Sequence, residues 1–289
     1  MRLTITHTTT YRFARPVFFN PHRLLLRPRG DADLKVLDHS LRCSPEARIV
    51  ESQDVMGNLV ATALFDGPAA RLEIVSRLEL ETSAEAWPVF PIEPRAQSYP
   101  FDYSPDERTD LGALTAPEHP HPAVAAWAWS HVRSQPTDTL ALLKDLNAGV
   151  LAAVAYRTRE EEGTQSAAET LSRAKGSCRD LAALFIAAAR HLGFGARAVS
   201  GYLVDEDAPA ASEDTTHAWA EVYLPGGGWI AFDPTHQRLG GHGLIPVAIG
   251  RCNSQVLPVV GSYAGAPEDF LGMEVRVDTR AAPLPPAAS

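Results

Sequence analysis

The chain has 289 residues, 45% hydrophobic and 21% charged, enough apolar material for one large domain or two ordinary ones with a real core. The formal net charge is -9 and the pI about 5.6, and no run or stripe of Lys and Arg stands out. Phosphate binding needs clustered cations, so a nucleic-acid partner does not fit this chain.

The N-terminus, Met1 to Phe13, lacks the apolar stretch of a signal peptide. The most apolar segment, Leu181 to Phe194, is interrupted by Arg190 and His191, too short and too charged to span a bilayer. No membrane partner is expected. Cys43, Cys178 and Cys252 are far apart and odd in number. That spacing predicts neither a disulfide framework nor a zinc site, and a reducing, cytoplasmic setting is expected. The sequence leaves the oligomeric state open.

The first hundred residues read as β. Leu3 and Ile5 begin one strand, Leu37, Leu41 and Cys43 mark another, and Leu72, Ile74, Leu78 and Leu80 alternate with polar neighbours. Asp54 to Asn58 is a turn between apolar runs, predicting a hairpin. This region, residues 1–100, is expected to form an antiparallel sandwich or open barrel. Prolines crowd the stretch from Trp87 to Pro122 and exclude long regular elements, so residues 101–121 are expected to be a linker draped over the surface. Helical spacing follows in residues 122–289: Val124, Trp127 and His131 on one face, then Leu140, Leu143, Val150, Leu151 and Val154 on another. Ser166 with Glu169 has the spacing of a capping box. Another helix is predicted from Cys178 to His191, stopped by Gly193. Strands are expected at Ala196–Val204, His217–Leu224, Trp229–Phe232 and Glu274–Thr279, with a turn at Pro225–Gly228 and a mobile tail from Ala281.

Gly176-Ser177-Cys178-Arg179-Asp180 places a cysteine where a loop becomes a helix. Unpaired N–H groups and the positive dipole end favour a thiolate there, so the Cys178 pKa is expected to fall. Its own backbone N–H is available to a developing oxyanion. A hairpin from His217 to Asp233 would bring these two side by side, the carboxylate orienting the imidazole and the imidazole serving Cys178 as base. That order suits nucleophilic catalysis through a thioester.

These residues carry a family resemblance. Gly-x-Cys-x-Asp at 176–180, Ser200-Gly201-Tyr202-Leu203, the block His217 to Tyr223, and Gly228 to Thr235 together resemble the transglutaminase-like superfamily. The β-rich start, through Thr4–Phe13, Asn20-Pro21-His22 and Asp54 with Gly57-Asn58, is similar to the domain that precedes this core in bacterial members. The resemblance implies an α+β fold, with a papain-like core of helices packed on an antiparallel sheet. It implies Cys178 as nucleophile, His217 as base and Asp233 as orienting acid. It also marks Tyr156 as a candidate oxyanion donor, and Asp180, Trp219 and Glu221 as supporting residues. No cofactor and no metal are implied.

The chain departs from the usual bacterial pattern at Arg179, at His236 after Asp-Pro-Thr, and across Cys252 to Gln255. The triad is untouched, so these departures bear on substrate choice. His119-Pro120-His121 lacks acidic or Cys partners for a metal. Pro225 to Gly228 is a hairpin turn rather than a phosphate loop, since no Lys-Ser/Thr follows. Asp205, Glu206, Asp207, Glu213 and Asp214 form an acidic loop, read as solvated or as a rim favouring a cationic or amine-bearing substrate. The resulting expectation is a thiol-dependent enzyme acting on a peptide or protein amide, a cysteine peptidase or amidase. The alternatives are transfer to an amine acceptor, as in protein-glutamine gamma-glutamyltransferases, and a non-catalytic binding scaffold.

Overall fold

The structure, a computed structural model, describes residues 1–86, 88–159, 163–204 and 216–282. Six strands come first: β1 (Arg2–Phe19), β2 (His22–Arg27), β3 (Leu34–Ser44), β4 (Ala47–Gln53), β5 (Leu59–Phe65) and β6 (Pro68–Thr82). They form two antiparallel sheets, one ordered β1-β6-β3 and the other β2-β5-β4. Phe13, Val17, Phe19, Leu24, Leu26, Ala63, Leu72 and Ile74 fill the space between, as the alternating pattern predicts for a sandwich. The β4–β5 hairpin turns where expected. Asp54 Oδ1 accepts from the N–H groups of Met56 (3.0 Å) and Asn58 (2.9 Å), and Gly57 takes the left-handed φ of 78° that this turn needs.

The anticipated linker does not drape. It holds a short helix, α1 (Pro105–Leu111), capped reciprocally by Ser104 and Glu107. Tyr99, Tyr103 and Leu111 are buried. The Tyr103 hydroxyl accepts from Gly195 N–H and donates to the Tyr223 carbonyl, each at 2.9 Å. The prolines exclude long elements, but the aromatic residues between them have apolar area to bury and pin the segment down.

Helices α2 (Pro122–Trp129), α3 (Thr139–Ala153), α4 (Ala167–Arg173) and α5 (Cys178–His191) follow. His131 falls beyond the end of α2, where its Nδ1 donates to the Trp127 carbonyl at 3.0 Å. Five strands then make an antiparallel sheet: β7 (Ala196–Leu203), β8 (Thr216–Leu224), β9 (Gly228–Asp233), β10 (Arg238–Leu239) and β11 (Leu244–Gly250), ordered β10-β9-β8-β7-β11. Helix α5 lies on this sheet. Leu181, Leu184, Phe185 and Ala188 pack with Ala220, Val222 and Phe232, and Phe185 stacks on Phe232 with centroids 5.4 Å apart. The fold is α+β, as expected.

The last strand is a correction. Sequence pattern marks Glu274–Thr279 within the second unit and a mobile tail from Ala281. Strand β12 runs instead from Phe270 to Ala282 and pairs with β1, from Phe13↔Phe270 to Arg2↔Ala282, while the rest of the expected tail, 283–289, lies outside the described residues. Val277 is buried beside Leu3, Ile5 and Leu78, which explains the docking. Period-2 alternation identifies a strand but carries no information about its partner. The two units are also joined by Leu3, Ile5, Leu34, Leu78 and Leu80 packing with Tyr202, Val204, Ile245 and Val247. Buried His7 contacts the Tyr202 hydroxyl at 3.1 Å, and burial holds its pKa down at about 4. Among the described residues no helix is long and apolar enough to cross a membrane.

Asn58 makes a further polar link between the units, through both atoms of its amide. Its Nδ2 donates to the Ile249 carbonyl at 2.7 Å, and its Oδ1 accepts the Ile249 N–H at 2.8 Å. Asn58→Ala leaves that N–H without its partner, a loss of about 1–3 kcal/mol. Urea denaturation should show an unfolding free energy lowered by that amount, read as a lower midpoint at unchanged slope, and an unchanged midpoint would refute the linking role.

Candidate active site

Helix α5 begins at Cys178 because the Asp180 carboxylate reaches back to cap Ser177, while the Asp180 N–H donates to the Ser177 carbonyl at 2.9 Å. The Asp180 carboxylate accepts the Ser177 backbone N–H and the Ser177 hydroxyl, both at 2.9 Å. It also takes Gln165 N–H at 2.7 Å, Gln165 Nε2 at 3.2 Å and Arg159 Nε at 2.9 Å. Burial pushes its pKa up, but these hydrogen bonds more than offset that and hold it below the ordinary aspartate value. Gly176 is required by this cap, since a Cβ there would lie 2.8 Å from Asp180 Cβ. Cys178 is thus the first helical residue, half-buried, at the end of the helix where N–H groups lack intrahelical partners.

Lys175–Gly176 pairs in parallel with Ala155–Tyr156, and Arg157 N–H donates to the Gly176 carbonyl at 2.8 Å. Tyr156 is thereby set beside the loop that leads into Cys178, 45% exposed. The opposite wall comes from the β8–β9 hairpin, in which Ala220 pairs with Phe232 and Leu224 with Gly228. It returns Asp233 to His217, with His217 Nε2 donating to Asp233 Oδ2 at 2.9 Å. The remaining nitrogen, Nδ1, is left for the hydrogen bond between the His217 and Cys178 side chains. Trp219 is fully buried and stacks near-parallel on His217, with centroids 6.0 Å apart. Burial alone would lower the His217 pKa, yet hydrogen bonds to Asp233 and Cys178 and their charges raise it to about 9. Asp233 is itself fully buried, which pushes its pKa up, but hydrogen bonds from His217 and His236 more than offset this and hold it well below the usual carboxylate range. The structure therefore brings Cys178, His217 and Asp233 together, with Asp180 supporting the helix start and Trp219 the imidazole. Glu221 is not part of that cluster. Its half-buried carboxylate bonds Arg197 at 2.7 Å, and Arg197 lies 4.0 Å over the Trp229 ring.

Sequence reasoning did not anticipate four contacts. Arg159 and Gln165 hold Asp180, yet polar loop residues carry no periodic signal. His236 Nδ1 donates to the same Asp233 Oδ2 at 2.9 Å, its ring centroid 5.1 Å from that of His217. Its place three residues after Asp233 was the only available signal. Asn253, one of the departures, donates through Nδ2 to the carbonyl of another, Arg179. Among the described residues, the ligand atoms of His217, Asp233 and His236 lie within 4.8 Å of one another. A cation could sit there only by displacing both imidazole hydrogen bonds to the carboxylate. The acidic loop at 205–214 lies outside the described residues.

Residues 126–234 match the model of the transglutaminase-like superfamily, and residues 3–81 that of the bacterial transglutaminase-like N-terminal region. An uncharacterized protein of Mycobacterium tuberculosis is 28% identical over 291 aligned residues, covering 96% of this chain and 92% of the relative. One from Mycobacterium leprae is 24% identical, covering 96% and 98%. The crystal structure of a "putative cysteine protease" from Cytophaga hutchinsonii superposes with a TM-score of 0.74 at 20% identity, covering 99% of this chain and 93% of that one. At that identity the likeness establishes the shared fold.

His217 has a pKa raised above its unfolded value. Its protonation therefore stabilises the fold fully below about pH 6.5, and that contribution is lost as pH rises through about 9. Asp233→Asn removes the carboxylate but keeps the burial. A histidine NMR titration should then find His217 below 6.5, whereas a value still near 9 would mean that Asp233 is not what raises it.

Proposed function

With a core of the transglutaminase-like superfamily standing behind a bacterial transglutaminase-like N-terminal region, we propose that this chain is a thiol-dependent hydrolase of amide bonds, a cysteine peptidase or amidase. The observation that carries this reading is the buried His217, hydrogen-bonded on one side to Asp233 and on the other to Cys178 at a helix start. An imidazole held protonated up to about pH 9 is the partner a cysteine thiolate needs at neutral pH.

In the proposed reaction the Cys178 sulfur attacks the amide carbonyl carbon. The oxyanion that forms faces the Cys178 N–H, with the Tyr156 hydroxyl as a second donor from the neighbouring loop. His217 gives its proton to the departing amine or ammonia as the C–N bond breaks, leaving a thioester on Cys178. Neutral His217 then takes a proton from water, which attacks the thioester and releases the acid. Asp233 stays ionised throughout and holds the imidazole by Nε2. A primary amine replacing water in the second step would make the same site a transferase. The three free cysteines suit the reducing, cytoplasmic setting that belongs to this reading.

Ammonia or amine release from amide and peptide libraries, with and without an added primary amine, tests the reaction and its acceptor. Cys178→Ala should abolish release, a loss of more than about 1000-fold. The alkaline limb of the pH profile should fall near 9, as His217 loses its proton. Iodoacetamide should modify Cys178 far faster than Cys43, whose thiol burial pushes up to about 11. Equal rates for these two would favour the non-catalytic scaffold.

A further inference from the structure

Strand β12 lies at the end of its sheet. One edge pairs with β1, and among the described residues no strand pairs with the other. A free edge of 13 residues presents a row of unpaired N–H and C=O groups. Its side chains are only partly polar, with Leu271, Met273 and Val275 exposed. A long edge of this kind is open to pairing with another strand.

The charges on β12 say which strand. Glu274, Arg276, Asp278 and Arg280 occupy alternate positions and therefore share one face. Their signs alternate along it, minus, plus, minus, plus. Consider β12 against a second β12, antiparallel and centred on Val277. Glu274 then faces Arg280, Arg276 faces Asp278, and the two-fold axis repeats both pairs. On the other face, Val277 meets Val277, Val275 meets Thr279 and Met273 meets Ala281. Directly opposed unlike charges stabilise a sheet, and like charges destabilise it.

Neighbouring registers fail. Sliding by two residues one way puts Arg276 opposite Arg276 and Glu274 opposite Asp278. Sliding the other way puts Asp278 opposite Asp278 and Arg276 opposite Arg280. A one-residue slip brings charged residues opposite apolar ones. Parallel pairing in register sets every charge against its own copy. Only the register centred on Val277 satisfies the whole row. We propose that the chain forms a two-fold dimer in which β12 pairs antiparallel with β12 of a second copy, centred on Val277, joining the two β12-β1-β6-β3 sheets into one.

Sedimentation velocity on the full chain in low salt tests this, because exposed charge pairs weaken as salt screens them. The wild type should sediment as a dimer at tens of micromolar. Asp278→Arg places an arginine opposite Arg276 on both sides of the axis and should weaken dimerisation at least about tenfold. The double change Arg276→Asp with Asp278→Arg restores unlike pairs in the same register and should restore the dimer. Both positions are exposed, and circular dichroism checks that each variant is folded. Arg276→Asp alone applies the same repulsion from the other side should Asp278→Arg misfold. A monomeric wild type, a single variant as dimeric as the wild type, or a folded double variant that stays monomeric would each overturn the proposal.

Discussion

The arrangement around Cys178 depends on the buried carboxylate of Asp180. An ion removed from water loses several kcal/mol of solvation unless hydrogen bonds replace it. Here the replacements come from separate stretches of chain: Arg159, Gln165 and Ser177. The carboxylate that caps α5 therefore also orders the chain leading into the helix. Gly176 has no side chain because Asp180 occupies that space. The direction in which Cys178 leaves the backbone is a consequence of this single charge and its donors. Taking the carboxylate away would leave the Gln165 and Ser177 N–H groups buried beside a cation.

The second half of the site is positioned by register. Helix α5 is held on the sheet by Phe185 against Phe232 and by Ala220 and Val222 beneath it. The same strands carry His217 and Asp233 at their ends. The β8–β9 turn fixes their pairing, with Gly226 at a φ of 85° and Gly227 N–H returning to the Leu224 carbonyl at 2.9 Å. A one-residue slip in that hairpin would turn His217 to the opposite face of the sheet. The apolar packing of the helix and the hydrogen bonding of the imidazole are therefore satisfied by one register.

Local patterns made much of this legible. Alternation marks the sandwich strands, the glycines mark their turns, and Ser177 with Asp180 marks a helix start before an apolar run. The order of Cys178, His217 and Asp233 could be read because each lies at the end of a recognisable element. What could not be read depends on distant segments. Nothing in Glu274–Thr279 names Arg2–Phe19 as its neighbour. Nothing among the prolines before α2 announces that the Tyr103 hydroxyl bridges Gly195 and Tyr223. Arg159, Gln165 and His236 sit in irregular polar stretches, where a side chain's partner is decided by tertiary packing alone.

His236 alters how the Asp233 carboxylate behaves. An ionised carboxylate oxygen has two lone pairs, so Oδ2 accepts His217 and His236 together without either displacing the other. Oδ1 accepts Thr235 N–H at 2.9 Å. Rotating the carboxylate would break all three bonds at once. His217 is thus held at Nε2 by an anchor that cannot turn, while Trp219 fixes the plane of its ring. Only Nδ1, on the Cys178 side, remains to change partners. In the reaction proposed above, proton transfer would reorganise the sulfur and whatever is bound to it, and leave the imidazole and its carboxylate where folding placed them. That is the condition under which preorganised electrostatics lowers a barrier rather than following the reaction.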